Sequence, residues 1–451
     1  MSIIEILVIL IGILGIYAVG TFYLKKKGYF EKYNINFYGP ALMVRTKRGV
    51  GFLKRIARHT RFWHGYGKIS VVVCFIMMIL MVLLVIANMW AVLEFTPEQQ
   101  EALPGIEFGL ILPGINPILP LDYIFYIILA LVIGIIVHEF SHGILTFAHG
   151  LKVKSLGLLY LIVPLGAFCE PDEDELQETS KRKRMQVYAA GPMSNFVIAL
   201  IALLLFSYVG MAAVQPIEGV HVAYAIEDSP AEKIGLSAGT VVISLNNTPV
   251  ENASDFVQVM DKVLVNQTIP IRYYKDRSEI ETTITAAPRS EFSNNKSQEN
   301  MSFVGIGFNN YVNNFVNSLK NPLSSTDGLI VMYSLPLLGY FIGYNPLVSP
   351  YTQGLQLTGI ASVLPDSLFW IALNALFWIF WLNLLLGFFN VLPMVPLDGG
   401  FLFNDSVRFT IQRFRKNLSE ERVETIVKQI TLFISLIILF LVLFPWLVKY
   451  I

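Results

Sequence analysis

The sequence predicts a mainly α-helical, polytopic membrane protein, with about six transmembrane helices and an inserted α+β domain outside the membrane. Three observations carry that prediction. Hydrophobic residues make up 54% of the 451, and charged residues only 15%, where a soluble chain carries about a quarter charged. Six stretches are long and apolar enough to cross hydrocarbon, which takes roughly 20 residues: 2–22, 69–93, 121–148, 187–210, 367–390 and 429–448. Between the fourth and the fifth, the apolar character is lost and residues 215–308 become mixed and strand-like. The net charge is zero, so no global basic field points to nucleic acid. Cys74 and Cys169 imply neither a disulfide framework nor a metal cluster.

Orientation follows from the basic residues, which stay in the cytoplasm. In the first stretch Glu5, not a basic residue, precedes the apolar core, and no small-residue cleavage site stands before Lys25-Lys26-Lys27. It reads as a retained span with its amino terminus outside. The next loop carries a dozen Lys and Arg between Lys25 and Lys68 and is cytoplasmic, whereas 94–120 has no Lys or Arg and is outside. "KRKR" at 181–184 returns the chain to the inside, and Arg408 to Lys428 form a second basic segment. One crossing, 367–390, reaches that segment from outside. The weaker stretch 328–345, with Pro336, Gly339 and Gly343, therefore reads as peripheral or re-entrant on the outer side.

The third span holds "IIVHEFSHGI" at 135–144. His138 and His142 are four apart and share one helical face. Two imidazoles at that spacing can grip one zinc ion, with Glu139 beside them to polarise water. Only six histidines occur in the chain, and idle His and Glu are costly within a bilayer. A catalytic zinc takes a third protein ligand. His149 is possible by facing, but an ordinary interfacial histidine is the better reading. The stronger candidate is Asp398 in "NVLPMVPLDGG" (390–400), where Pro393 and Pro396 break the helix and Gly399-Gly400 permit sharp turning. Its bland alternative is a surface turn. Depth favours the ligand. Sixteen residues from Asp122 place His138 roughly 24 Å along the span, toward the cytoplasmic side, where the fifth span also ends.

"HEFSHG" in one span, "GPMSN" (191–195) in the next and "NVLPMVPLDGG" later resemble the site-2 proteases, intramembrane zinc metalloproteases. "PGIN" (113–116) and "VPLGAF" (163–168) extend the likeness. The resemblance implies His138, His142 and Asp398 as ligands of one zinc ion and Glu139 as general base. Asn390 matches an asparagine the family places beside the site, where an amide can hold the scissile carbonyl or its oxyanion. Asn195 matches the second motif, with helix packing as the alternative. Asn383 shares the face of Asn390 and is a further cavity-lining candidate. In the family, the region matching 155–170 forms a membrane-embedded β-hairpin whose edge can pair with an unwound substrate. The acidic run 170–178 reads as a solvated rim.

"DSPAEKIGLSAG" and "VVISLNNTPV" (228–250) resemble a PDZ domain, with Thr240 where that pattern usually has Asp. Turn signals stand at Asp228-Ser229-Pro230 and Asn246-Asn247, and 289–300 is a polar loop.

The expected divisions are these. Residues 1–120 hold the first spans and the basic loop. Residues 121–214 and 367–404 are the two halves of a catalytic membrane core. Residues 215–310 form the PDZ-like domain, 311–366 a peripheral or re-entrant outer segment, and 405–451 the basic segment and last span. The expected activity is hydrolysis of peptide bonds in transmembrane segments, as in regulated intramembrane proteolysis, on substrates already cut on the outer side. The expected location is the cell membrane, with the PDZ-like domain extracytoplasmic and the site toward the cytoplasm. A metal transporter or sensor using the same ligands is the alternative. It would repeat its motifs in two halves, and it has no use for Glu139.

Overall fold

The computed structural model describes residues 3–109, 113–160, 164–293, 298–415 and 417–450. Residues 1–2, 161–163 and 294–297, which belong to the expected first span, hairpin and polar loop, lie outside the described residues. The chain divides into two compact units: residues 1–106, 128–199 and 382–451 in one, and 107–127 and 200–381 in the other.

Among the described residues, five helices are long and apolar enough to cross a membrane: Thr60–Leu93, Leu121–Ala148, Lys181–Ala213, Asp366–Asn390 and Glu420–Tyr450. Five of the six expected spans fall within them. The remaining one falls in helix α1, Ile3–Lys26.

In the first unit, α1 is followed by strands β1 (Ile35–Tyr38) and β2 (Ala41–Thr46), then by helix α2 (Thr60–Leu93). Helix α3 (Ile124–Ala148) ends in this unit and leads into β3 (Val153–Tyr160) and β4 (Pro164–Pro171). The four strands form one antiparallel sheet in the order β1-β2-β3-β4. The expected hairpin over 155–170 is thus half of a larger sheet. The other half lies in the segment read only as a basic loop. There "INFYGPALMVRT" turns at Gly39, whose φ of 57° suits glycine.

Helix α4 (Lys181–Leu204) begins in the same unit. Buried Leu53, Ile144, Leu145, Leu156, Val187 and Ala190 pack together and join α3, α4 and the sheet into one core. On α2, by contrast, Ile69, Val72, Ile76, Ile79 and Leu83 are exposed, an apolar face suited to lipid.

The second unit holds a separate core. Strands β5 (Val220–Ala225), β6 (Val241–Leu245), β7 (Thr268–Lys275), β8 (Ser278–Thr285) and β9 (Ile306–Phe308) pair antiparallel in the order β8-β7-β6-β5-β9. Helix α5 (Ala253–Met260) buries Phe256 and Met260 against Val242, Leu245, Ile269 and Ile271. Its side-chain cap is Asn252, which accepts from the Asp255 N–H. Asn246 and Asn247 take φ of 49° and 62°, the left-handed pair that a tight hairpin needs. Thr240 closes the turn with its hydroxyl, which accepts from the Ser237 N–H at 3.4 Å, as a carboxylate could, and also donates to the Ser237 carbonyl at 2.7 Å. Residues 326–342 form helix α6 (Thr326–Ile342), 17 residues long, or about 26 Å. Gly343 ends it in a left-handed conformation.

Helix α7 (Asp366–Asn390) finishes in the first unit. Helices α8 (Asp398–Phe414) and α9 (Glu420–Tyr450) complete the chain there.

Candidate metal centre

The site lies wholly in the first unit. Helix α3 presents His138 and His142 one turn apart, their ring centroids 4.9 Å from each other. The Asp398 Oδ2 atom is 3.0 Å from His138 Nε2 and 3.3 Å from His142 Nε2. Each of the three residues offers one ligand atom, and these atoms lie within 4.8 Å of one another. Asp398 arrives by the route its sequence suggests. Helix α7 stops at Asn390, the proline-bearing segment turns, and α8 starts at Asp398 itself. A Cβ on Gly399 would sit 2.3 Å from the Val391 carbonyl carbon, and one on Gly400 2.6 Å from that of Met394. Only glycines let the chain fold back this tightly.

The other ring nitrogens show what the Nε2 atoms are for. His138 Nδ1 lies 2.6 Å from Asn195 Oδ1, and His142 Nδ1 lies 2.7 Å from the Val187 carbonyl. Asn195 is oriented by its own amide, whose Nδ2 is 3.2 Å from the Gly134 carbonyl and 3.1 Å from Asn383 Oδ1. Both partners of the rings are therefore acceptors, and each Nδ1 carries the proton. In the neutral rings, two Nε2 lone pairs then face a carboxylate oxygen. Asp398 Oδ2 is buried and has no hydrogen-bond donor. Three inward-facing electron pairs in a buried place fit a cation. The outer hydrogen bonds are those that fix metal-binding histidines. A Cβ on Gly191 would lie 2.4 Å from His142 Nε2 and 2.6 Å from His138 Nε2. The glycine of "GPMSN" thus leaves room where the ligand atoms converge.

A cavity of about 760 Å³ opens on this group. Its wall includes Glu139 and Asn390 together with Arg45, Phe168, Glu170 and Tyr188. Glu139 Oε2 accepts from the Cys169 N–H of β4 at 2.8 Å. The Asn390 amide Nδ2 donates to the Leu386 carbonyl at 3.0 Å.

Two expectations change, and His149 keeps its non-ligand reading. Asn195 and Asn383 do not line the cavity. Both are fully buried, behind His138, in the amide chain that orients its ring. His149 stacks on His64 at 4.8 Å and takes no part in the ligand group. The start of the acidic run is not a free rim, because Glu170 is on the cavity wall and is held by Arg45 Nε at 3.0 Å and by the Ser155 hydroxyl. Burial raises the Glu170 carboxyl, yet the hydrogen bonds and charge of Arg45 and Ser155 outweigh it and hold the group below its ordinary value. Sequence reasoning missed Arg45, Val187 and Gly191. The signal for Gly191 was a glycine within a span, directly before a proline.

A family model described as peptidase family M50 matches residues 126–438. An uncharacterized protein of Methanocaldococcus jannaschii is 26% identical over 379 residues, covering 83% of this chain and 80% of its own length. A protein of Clostridium acetobutylicum named "Putative zinc metalloprotease" is 26% identical over 310 residues, 61% of this chain and 84% of its own. One of the same name from Clostridium perfringens is 24% identical over 67% of this chain and 87% of its own. Among solved structures, the PDZ domain of an SdrC-like protein from Listeria monocytogenes is similar at 19% identity over 23% of this chain and 96% of that one, with a TM-score of 0.19.

Proposed function

The chain belongs to peptidase family M50, the site-2 type of zinc metalloprotease, and we propose that it hydrolyses peptide bonds within transmembrane segments of other membrane proteins, as in regulated intramembrane proteolysis. The observation that carries this reading is the buried convergence of His138, His142 and Asp398 beside Glu139. His138, Glu139 and His142 lie on a helix apolar enough to span a bilayer.

In this reading His138, His142 and Asp398 hold one zinc ion. Zinc there supplies Lewis acidity, which makes water a competent nucleophile near neutral pH. Glu139 takes the proton of the attacking water and passes it to the leaving amine. Asn195 keeps His138 in the tautomer that leaves Nε2 free, and the Val187 carbonyl does the same for His142. Asn390, on the cavity wall, is placed to orient the scissile carbonyl. A transmembrane helix has its peptide groups tied in hydrogen bonds and must open before it can be cut. Strand β4 pairs with β3 on one side only among the described strands, so its other edge is available to an extended substrate. The active site works toward the cytoplasmic side. The PDZ-like domain stands on the outer side and admits substrates already shortened there.

The test is purified protein in liposomes with candidate single-span substrates, and mass mapping of the fragments. Cuts inside the apolar segment are expected, abolished by a zinc chelator. Glu139→Gln should retain zinc and lose cleavage by about 10²-fold or more. Cleavage confined to soluble loops, or an active Glu139→Gln variant, would overturn the reading.

A further inference from the structure

Four residues of α4 follow one another at intervals of three or four: Arg184, Val187, Gly191 and Asn195. They share one helical face. Val187 and Asn195 hold the two histidine rings, and Gly191 makes room for their Nε2 atoms. Arg184 points at α8 instead. Its Nε lies 2.7 Å from Asp405 Oδ2 and its Nη2 2.5 Å from Asp405 Oδ1, while Nη1 donates to the Gln177 carbonyl at 2.8 Å. Both side chains of the pair are 5% exposed. A two-point arginine–carboxylate contact fixes distance and direction together. A buried pair of this kind is weak evidence for stability, since its desolvation offsets its attraction. What it does set is register. Asp405 is seven residues, two helical turns, beyond Asp398 on α8. Nothing interrupts the helix between them.

We propose that Arg184 is a positioning residue of the metal site. Through Asp405 it fixes α8 along α4 at the level where the Asp398 carboxylate meets the Nε2 atoms of His138 and His142. One face of one helix then sets all three ligands. Val187 and Asn195 orient the rings, Gly191 clears the space, and Arg184 delivers the carboxylate. This inference rests on the reading of those three residues as zinc ligands.

Zinc affinity tests it, measured on the detergent-solubilised full chain by competition with a chromophoric chelator. Four proteins form a cycle: wild type, Arg184→Met, Asp398→Ala and the double variant. Arg184→Met is expected to weaken zinc about tenfold or more, the range for residues that support metal ligands. In the Asp398→Ala background the same change should have no further effect, because its route to the metal is already gone. Exchanging the partners, Arg184→Asp with Asp405→Arg, should recover part of the affinity. A general structural role would lower affinity equally in both backgrounds. That additivity, or an Arg184→Met affinity within about twofold of wild type, overturns the proposal. If Arg184→Met does not fold, Arg184→Lys replaces it in the same cycle, keeping the charge and losing the two-point contact. An Asp398→Ala protein that binds zinc as well as wild type refutes the ligand reading itself.

Discussion

Replacing Gly191 with alanine adds one methyl group at the most crowded point of the site. The new Cβ would fall 2.4 Å from His142 Nε2 and 2.6 Å from His138 Nε2, against an ordinary contact of 3.4 Å. The rings would have to retreat by roughly 1 Å, several times the tolerance of about 0.2 Å in metal–ligand distances. They cannot do so freely, since each is held at its Nδ1 by Asn195 or Val187. A displacement of this size costs about 10²-fold in rate, or roughly 2.7 kcal/mol. The backbone gives no reason for loss. Residue 191 lies within a helix, where alanine is favoured over glycine by about 0.5–1 kcal/mol. The assay is zinc content per folded chain, with cleavage of a reconstituted substrate measured alongside. Gly191→Ala should remain folded, lose most of its zinc and lose cleavage. A variant with one zinc per chain and a rate within about threefold of wild type would refute the geometric reasoning.

Further outcomes follow from the same contacts. Asn195→Leu removes the acceptor for His138 Nδ1 and should weaken zinc by about 10–100-fold; Asn195→Asp, which still accepts, should do less damage, and chelator competition ranks the two. Gly399→Ala drives a Cβ to 2.3 Å from the Val391 backbone, which cannot yield as a side chain can, so it should cost about 3 kcal/mol or more, read as loss of folded protein in detergent. Glu170 is held below its ordinary value of 4.5, so its contribution to stability is complete above that pH and disappears as acid protonates it. Melting temperature should therefore fall more steeply as pH drops below about 4.5 in wild type than in Glu170→Gln.

The parts of this protein that the sequence made legible are those where cost betrays purpose. His138, Glu139 and His142 stand out because polar groups in an apolar run demand partners. Asp398 stands out because prolines and glycines at membrane depth must be satisfied by something. The long helices are legible for the same reason, since hydrophobic runs of this length have few other uses. What escaped was cooperation between distant stretches. Strands β1 and β2 sit among so many basic residues that the segment read as a loop, and the pairing of β2 with β3 is visible only in three dimensions. "KRKR" read as a topological signal alone. Arg184, its fourth residue, is buried against Asp405, 221 positions away. Asn195 was noticed through its motif, with helix packing as the alternative, and Asn383 through the face it shares with Asn390. They serve the cavity from behind by holding His138.

The most direct test is the zinc X-ray absorption spectrum of the purified full-length protein, read for wild type and Asp398→Ala. One zinc per chain is expected, bound by two imidazoles and at least one carboxylate oxygen. The Asp398→Ala spectrum should lose the carboxylate contribution, or the protein should lose the metal. Zinc bound with an unchanged spectrum in Asp398→Ala, or a sulfur ligand from Cys74 or Cys169, would contradict this ligand set.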